Sequence, residues 1–218
     1  MKNLAVIFDL DGLILETESL ARKAWALAGQ DLGLSVPEHV VQAMVGRTIH
    51  SIRALLVEML DADVPHEALL ARSDHHYHAL IESEAPCIKP GVFELLDFLD
   101  GHKIPLALAT SSRRHQLEPK TRGTELPKRF HQIVCGDQVE NGKPAPDIFL
   151  AAAELLGVIP GQCFVLEDSG PGIEAAHAAG MRPLLVPDHQ RPEATVAALA
   201  YAEFTTLHEV IPFLEILA

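Results

Sequence analysis

Asp9 and Asp11 stand two residues apart just after Leu4-Ala5-Val6-Ile7-Phe8, a short apolar run of strand character. Side chains alternate along extended chain, so the two carboxylates start out on the same side of it. Two negative charges crowded at the end of a buried strand need a counter-charge, usually a metal ion, and Gly12 lets the backbone turn sharply there. Later segments offer what the pair lacks. Thr110-Ser111-Ser112 and Glu167-Asp168 each end another apolar run, and Lys143 sits in the rigid turn Gly142-Lys143-Pro144-Ala145-Pro146-Asp147 ahead of a helix. Three or four carboxylates with one lysine and a hydroxyl pair suit Mg²⁺ together with a phosphate. Hard oxygen donors select magnesium, which shares its shell between carboxylates, waters and substrate phosphate.

For these residues to meet, the runs that carry them must be strands of one sheet with their carboxyl ends together. Strand character is read at Ile104–Ala109, Ile133–Cys135, Cys163–Leu166 and Pro183–Val186, with helices from Pro90 to Gly101, from Pro146 to Leu156 and from the break at Glu167–Gly172 to Gly180. Strands alternating with helices predict an α/β fold with a doubly wound parallel sheet, whose ligands bind beyond the carboxyl ends of the strands. From Glu16 to Ala85 the pattern is helical instead, through Leu20, Ala24, Leu27 and Ala28, then after Pro37, through Ile52, Leu55, Leu56 and Met59, and after Pro65 through Leu69, Leu70 and Leu80. The predicted organisation is therefore a discontinuous Rossmann-like core, 1–15 and 87–218, interrupted by an all-helical cap, 16–86. Residues after Val186 read as a polar loop and two short helical stretches.

The formal net charge of −13 comes with no Lys/Arg-rich run, so neither nucleic acid nor an anionic membrane is an expected partner. An anionic substrate must then be held locally by a metal and a few basic residues. Hydrophobic residues at 48% and charged residues at 22% are ordinary for a globular chain of 218 residues, which can bury a sizeable core. The odd set Cys87, Cys135 and Cys163, each in or beside an apolar run, is read as buried free thiols in a reducing compartment. The first residues do not have the pattern of a signal peptide, and no apolar run approaches the ~18 residues of a membrane span. A cytoplasmic monomer is expected.

Phe8-Asp9-Leu10-Asp11-Gly12 with Thr17-Glu18, then Thr110-Ser111, Lys143-Pro144 and Leu166-Glu167-Asp168-Ser169-Gly170, resemble in order and spacing the four motifs of the haloacid dehalogenase superfamily. The helical insert resembles the small cap of its phosphoglucomutase-like phosphatase branch. The segments around Thr110-Ser111-Ser112, Lys120-Thr121, Phe130–Val134 and Gly142-Lys143-Pro144 are similar to pseudouridine-5′-phosphatase-type enzymes. The resemblance implies Asp9 as nucleophile forming an aspartyl-phosphate, and Asp11 as acid to the leaving oxygen and then base to water. It implies Mg²⁺ on the Asp9 carboxylate, the Asp11 carbonyl and Asp168, with Glu167 beside it or acting through water. Lys143, the Thr110 hydroxyl and the Ser111 amide would hold the phosphoryl oxygens.

Within that family Asp11 argues against dehalogenation, since a halide leaving group needs no proton. Phosphonate hydrolysis needs a cap lysine, and the chain has none between Lys23 and Lys89. A β-phosphoglucomutase-like mutase is the nearer alternative. Mutases of that type carry a His in the first cap helix and a Lys and an Arg around the cap-loop glycine, where this chain has Ala21, Val45 and Ile49. A non-catalytic phosphate-binding regulator would have no use for Asp11. The expected substrate is a small phosphorylated metabolite: a sugar, polyol or nucleoside monophosphate. Arg47, beside Gly46 in the cap loop, is the candidate to reach it. Glu16 departs from the Asp usual before Thr17-Glu18, adding a methylene at the hinge. His75, His76 and His78 cannot all face one ion from a helix and are read as surface residues.

Overall fold

Strand β1 (Ala5–Phe8) is fully buried at the centre of a six-stranded sheet in the computed structural model, which describes residues 4–44 and 46–217. The chain continues through α1 (Glu18–Asp31), α2 (Glu38–Ala43), α3 (Ile49–Met59), α4 (His66–Ser83) and α5 (Val92–Gly101). Then come β2 (Leu106–Thr110), α6 (Arg114–Thr121), β3 (Gln132–Cys135), α7 (Asp147–Leu156), β4 (Cys163–Glu167) and α8 (Gly170–Ala178). The last elements are β5 (Arg182–Leu185), α9 (Ala194–Ala197), β6 (Ala202–Glu203) and α10 (Leu207–Leu217). Every pairing in the strand order β3-β2-β1-β4-β5-β6 is parallel, so the expected doubly wound α/β fold is what the chain adopts. Strand order reverses at β1, which opens a crevice at its carboxyl end between β2 and β4.

The period-two alternation of β1 sorts its side chains onto two faces. Val6 and Phe8 pack with Leu95 and Leu99 of α5 and Val210 and Leu214 of α10. Ala5 and Ile7 face Phe149 and Ala152 of α7 and Ala175 of α8. Burial on both faces is why β1 reads as a continuous apolar run. Removing a side chain as large as Phe8 or Ile7 from water contributes roughly 1.5–3 kcal/mol, which anchors the strand that carries the carboxylates.

All regular elements described between Glu18 and Ser83 are helices, and they carry a separate apolar cluster around Trp25, Val40, Met44, Leu56, Leu69 and Leu70. A second seam, Leu20 and Ala24 with Leu80 and Ile81, joins α1 to α4. Chain enters and leaves these helices side by side, with an isolated bridge pairing Leu15 and Ile88 and the Glu16 amide donating to the Cys87 carbonyl at 2.9 Å.

Two elements lie outside the sequence expectation, and one residue contradicts it. Helix α6 has Leu117 as its one large apolar residue and contains Pro119, so it shows no apolar stripe, and β6 is two residues long. Strand β5 starts one residue early, at Arg182. Cys135 and Cys163 are buried free thiols, but Cys87 is exposed because it lies in the connection out of the helices and not in the core.

Candidate active site

The carboxyl ends of β1, β2 and β4 bring Asp9, Asp11, Thr110, Glu167 and Asp168 together, and the loop before α7 carries Lys143 in beneath them. Gly12 turns the chain with φ +87°, and a Cβ there would collide with the Asp168 carboxylate, so only glycine allows this approach. Lys89 braces the same turn, donating to the Gly12 carbonyl at 2.6 Å and to Asp188 at 2.7 Å.

Lys143 is completely buried and ion-paired with both Asp9 and Glu167, the latter at 2.6 Å. It precedes a cis Lys143-Pro144 bond, and its ammonium lies 4.9 Å from the centre of the Phe149 ring. Glu167 gives one oxygen to Lys143 and accepts at the other from the Ser169 amide and hydroxyl, each at 2.9 Å. Asp168 is also buried, and its Oδ1 has no hydrogen-bond partner. Two buried carboxylates thus share one lysine, and the buried Asp168 carboxylate has none of its own. Burial raises the Asp9 carboxyl to about 7 against the pull of Lys143, with the Glu167 and Asp11 charges adding to the rise. Burial, then the charges of Glu167 and Asp9, push Asp168 well above the usual carboxylate range. Burial opposes the charge on Lys143, but Asp9 and Glu167 outweigh it and hold the ammonium protonated. The unpaired Asp168 oxygen and the surplus of hard oxygen donors fit a divalent cation of the magnesium type.

Asp11 has the opposite surroundings. Its Oδ1 accepts from Lys120 at 2.6 Å and from the Thr17 hydroxyl at 2.9 Å. Its Oδ2 accepts from the Ser112 hydroxyl at 2.8 Å and, more distantly, from Thr110 at 3.4 Å. Burial works to raise its pKa, yet the Lys120 charge and the hydrogen bonds from Lys120, Ser112 and Thr17 bring it below the ordinary aspartate value. Thr110 is itself buried and accepts from the Ser112 amide at 3.0 Å.

Above the strand ends, a cavity of about 410 Å³ extends from Asp9, Asp11 and Asp168 into the helices, where Trp25, Met44 and Ile49 line it. The Ser111 hydroxyl donates to the Gly46 carbonyl at 2.9 Å, which seats the loop between α2 and α3 on the core. Gly46 has φ +73°, and a Cβ there would strike the Ser169 hydroxyl. Arg47 lines the cavity from the loop after α2, while its Nε donates at 3.0 Å to the carbonyl of Ala43, the last residue of that helix. Ala21 and Ile49 also line the cavity; Val45 lies outside the described residues. Glu16 faces outward at the hinge, bonded to the Ser19 hydroxyl at 2.7 Å and to His189 at 3.1 Å. His75, His76 and His78 do not converge: His76 pairs with Asp31, while His78 lies near Asp74 and stacks on His115.

All the core residues expected from the sequence gather at this crevice, and Arg47 lies at the cavity wall. What sequence reasoning missed is Lys120, only 4% exposed, whose ammonium is the charged partner of Asp11. A buried lysine in a polar, proline-containing helix reads as a surface residue. The available signals were its place in the Lys120-Thr121 segment of the resemblance and its position, a basic residue eight after Ser112 on the helix that follows β2.

Residues 4–180 match the family model described as haloacid dehalogenase-like hydrolase. A phosphorylated carbohydrates phosphatase of Thermotoga maritima is 37% identical over 81% of this chain and 82% of its own. The "Probable pseudouridine-5'-phosphatase" of Drosophila melanogaster is 36% identical over 84% and 80%, respectively. A beta-phosphoglucomutase of Bacillus subtilis is 34% identical over 81% and 80%. The chain belongs to the haloacid dehalogenase-like hydrolase family, in its phosphatase branch. Phosphatases of this family are generally Mg²⁺-dependent. Among the described residues, no helix is long and apolar enough to cross a membrane.

Proposed function

We propose that this chain hydrolyses small phosphomonoesters with Mg²⁺ through an aspartyl-phosphate on Asp9. The observation that carries the reading is the divided electrostatics of the strand end. Asp9 lies with Asp168 in a buried, electron-rich cluster that calls for a cation, and Asp11 lies in a separate set of donors two residues away. When bound, Mg²⁺ at the Asp9 and Asp168 carboxylates and the Asp11 carbonyl would neutralise charge on the transferring phosphoryl group. Glu167, with both oxygens engaged, holds Lys143 in place more directly than it could hold an ion.

The Asp9 carboxylate attacks phosphorus, the ester P–O bond breaks, and the leaving oxygen takes a proton from Asp11. Asp11 is held ionised without substrate. A bound phosphate dianion beside it disfavours that charge and raises its proton affinity, which readies it as an acid. In the second half Asp11 removes a proton from the water that attacks the aspartyl-phosphate, restoring Asp9 and releasing phosphate. Lys143 stays protonated throughout, and Thr110 and Ser111 at the end of β2 supply donors for the equatorial oxygens. Domains follow the same division, with the core at 1–15 and 87–218 supplying the chemistry and the cap at 16–86 enclosing the substrate. The relatives' named substrates and the size of the cavity support a sugar, polyol or nucleoside monophosphate, with Arg47 in reach of it, handled by a soluble cytoplasmic monomer.

Ala21 and Ile49 on the cavity wall favour hydrolysis over mutase chemistry, because neither can bind and orient a sugar hydroxyl or second phosphate as His or Arg would. The test is a phosphomonoester screen with Mg²⁺ on the intact chain, Asp9→Asn and Asp11→Asn. Phosphate release by the intact chain alone is expected. Turnover surviving in Asp9→Asn would remove the covalent mechanism, isomerised sugar phosphate without phosphate release would favour the mutase, and no turnover at all would favour a regulator.

A further inference from the structure

Lys120 is the one buried cation of the site whose position no expected role explains. Its ammonium is 2.6 Å from Asp11 Oδ1 and 2.7 Å from the Ser112 hydroxyl, which in turn donates to Asp11 Oδ2 at 2.8 Å. Lysine, serine and carboxylate therefore close a ring in which both carboxylate oxygens are held from the same side. The Tyr77 ring of α4 covers the ammonium, 5.1 Å from ring centre to Nζ, and keeps it out of bulk water. A carboxylate gripped at both oxygens cannot rotate freely about χ2, and rotation is what would misdirect its proton.

Resting on the hydrolase reading, we propose that Lys120 is a positioning residue for the acid/base carboxylate. It fixes the plane of Asp11 so that one oxygen meets the leaving oxygen and, later, the attacking water. The alternative roles for a buried lysine here make different demands. A lysine that bound the substrate phosphate would contribute chiefly to KM. A lysine that only stabilised the fold would serve every ester alike.

The experiment compares the intact chain with Lys120→Met and Lys120→Arg on two esters, with Mg²⁺ present. One is the alkyl phosphomonoester that the intact chain hydrolyses best, whose alkoxide must be protonated to leave. The other is 4-nitrophenyl phosphate, whose phenolate leaves without a proton; its first-turnover nitrophenol release reports attack by Asp9 alone. A misdirected acid costs roughly 10- to 100-fold in the alkyl kcat. Lys120→Met is expected to show that loss with KM within about threefold, and nitrophenol release in the first turnover also within about threefold. Lys120→Arg, keeping the charge, is expected to fall between Lys120→Met and the intact chain. The ratio of the two esters is read in whichever variant keeps a native melting temperature. Equal losses on both esters, or a loss confined to KM, would overturn the positioning role while leaving the hydrolase reading intact. Absence of phosphate release by the intact chain would sink both.

Discussion

Asp9 and Asp11 are two residues apart on one turn, yet the protein treats them in opposite ways. Asp9 shares one lysine with Glu167, beside a third buried carboxylate on Asp168, and burial drives its carboxyl up; Asp11 has a lysine of its own and three hydroxyl donors, and its carboxyl is driven down. The first group is short of positive charge and the second is not. Catalysis by a covalent phosphatase needs this asymmetry, because a nucleophile has to meet an anionic phosphate beside a cation, whereas an acid/base must sit just outside that cluster with its own orientation fixed.

The largest expected effect comes from destroying the electron-rich half. Asp9→Asn should lower kcat for phosphate release by at least about 10⁴-fold, since in the proposed mechanism the nucleophile and a metal ligand are lost together. Asp11→Asn tests the other half, with an expected loss of about 10²–10⁴ that is steeper for alkyl than for aryl esters. If both variants lost the same factor on both kinds of ester, the division of labour would fail.

Lys143→Met should be the largest stability effect. It leaves buried Asp9 and Glu167 without their shared cation, and breaking a buried pair in this way costs about 3–5 kcal/mol. Thermal or urea unfolding of the variant measures it, and added Mg²⁺ should recover part of the loss.

Metal and proton compete for the same buried oxygens, which predicts a pH dependence with a definite sign. Asp9 has a folded-state pKa of about 7, above its unfolded value, so between the two the folded chain keeps a proton that the unfolded chain gives up. Without metal, this group's contribution to stability therefore falls as pH rises toward 7 and levels off above it. Mg²⁺ should raise the melting temperature more at pH 8 than at pH 5. A shift that is the same at both values would mean that the ion does not bind at the raised carboxylates. Asp11 contributes in the opposite sense: with a depressed folded pKa, its stabilisation is present above the unfolded value and is lost as pH falls through the folded one. The smallest effect is expected at the hinge, where Glu16→Ala removes solvent-exposed contacts to Ser19 and His189 and should change stability by less than about 1 kcal/mol.

Much of this was legible in one dimension because the responsible signals are local. The β1 run and the helical periodicity before Pro86 predict the strand and the insert, and Gly12, Lys143 and Glu167-Asp168 mark where the chain must turn or present charge. Asp9 and Asp11 are paired by alternation alone. The motifs name the family because four short segments must each keep their own residue types to meet at one sheet edge. Helix α6 and Lys120 were not legible, since a polar helix with an internal proline carries no periodic apolar face and a lysine shows nothing of its burial. Cys87 departs from expectation for the converse reason, as an apolar neighbourhood in sequence is not one in space.

By itself, then, the sequence determined the α/β class, the helical insert and the set of groups at the strand ends, all consequences of side-chain periodicity and turn chemistry. The tertiary structure decided which lysine serves which aspartate, that Glu167 is spent on Lys143 and Ser169, and that one Asp168 oxygen is left without a partner. Those outcomes depend on burial and on distances in space that sequence separation does not set, with Asp11 and Lys120 over a hundred positions apart. In a low-dielectric crevice it is the partner within a few ångströms, and not the neighbour in sequence, that sets the charge of a carboxylate.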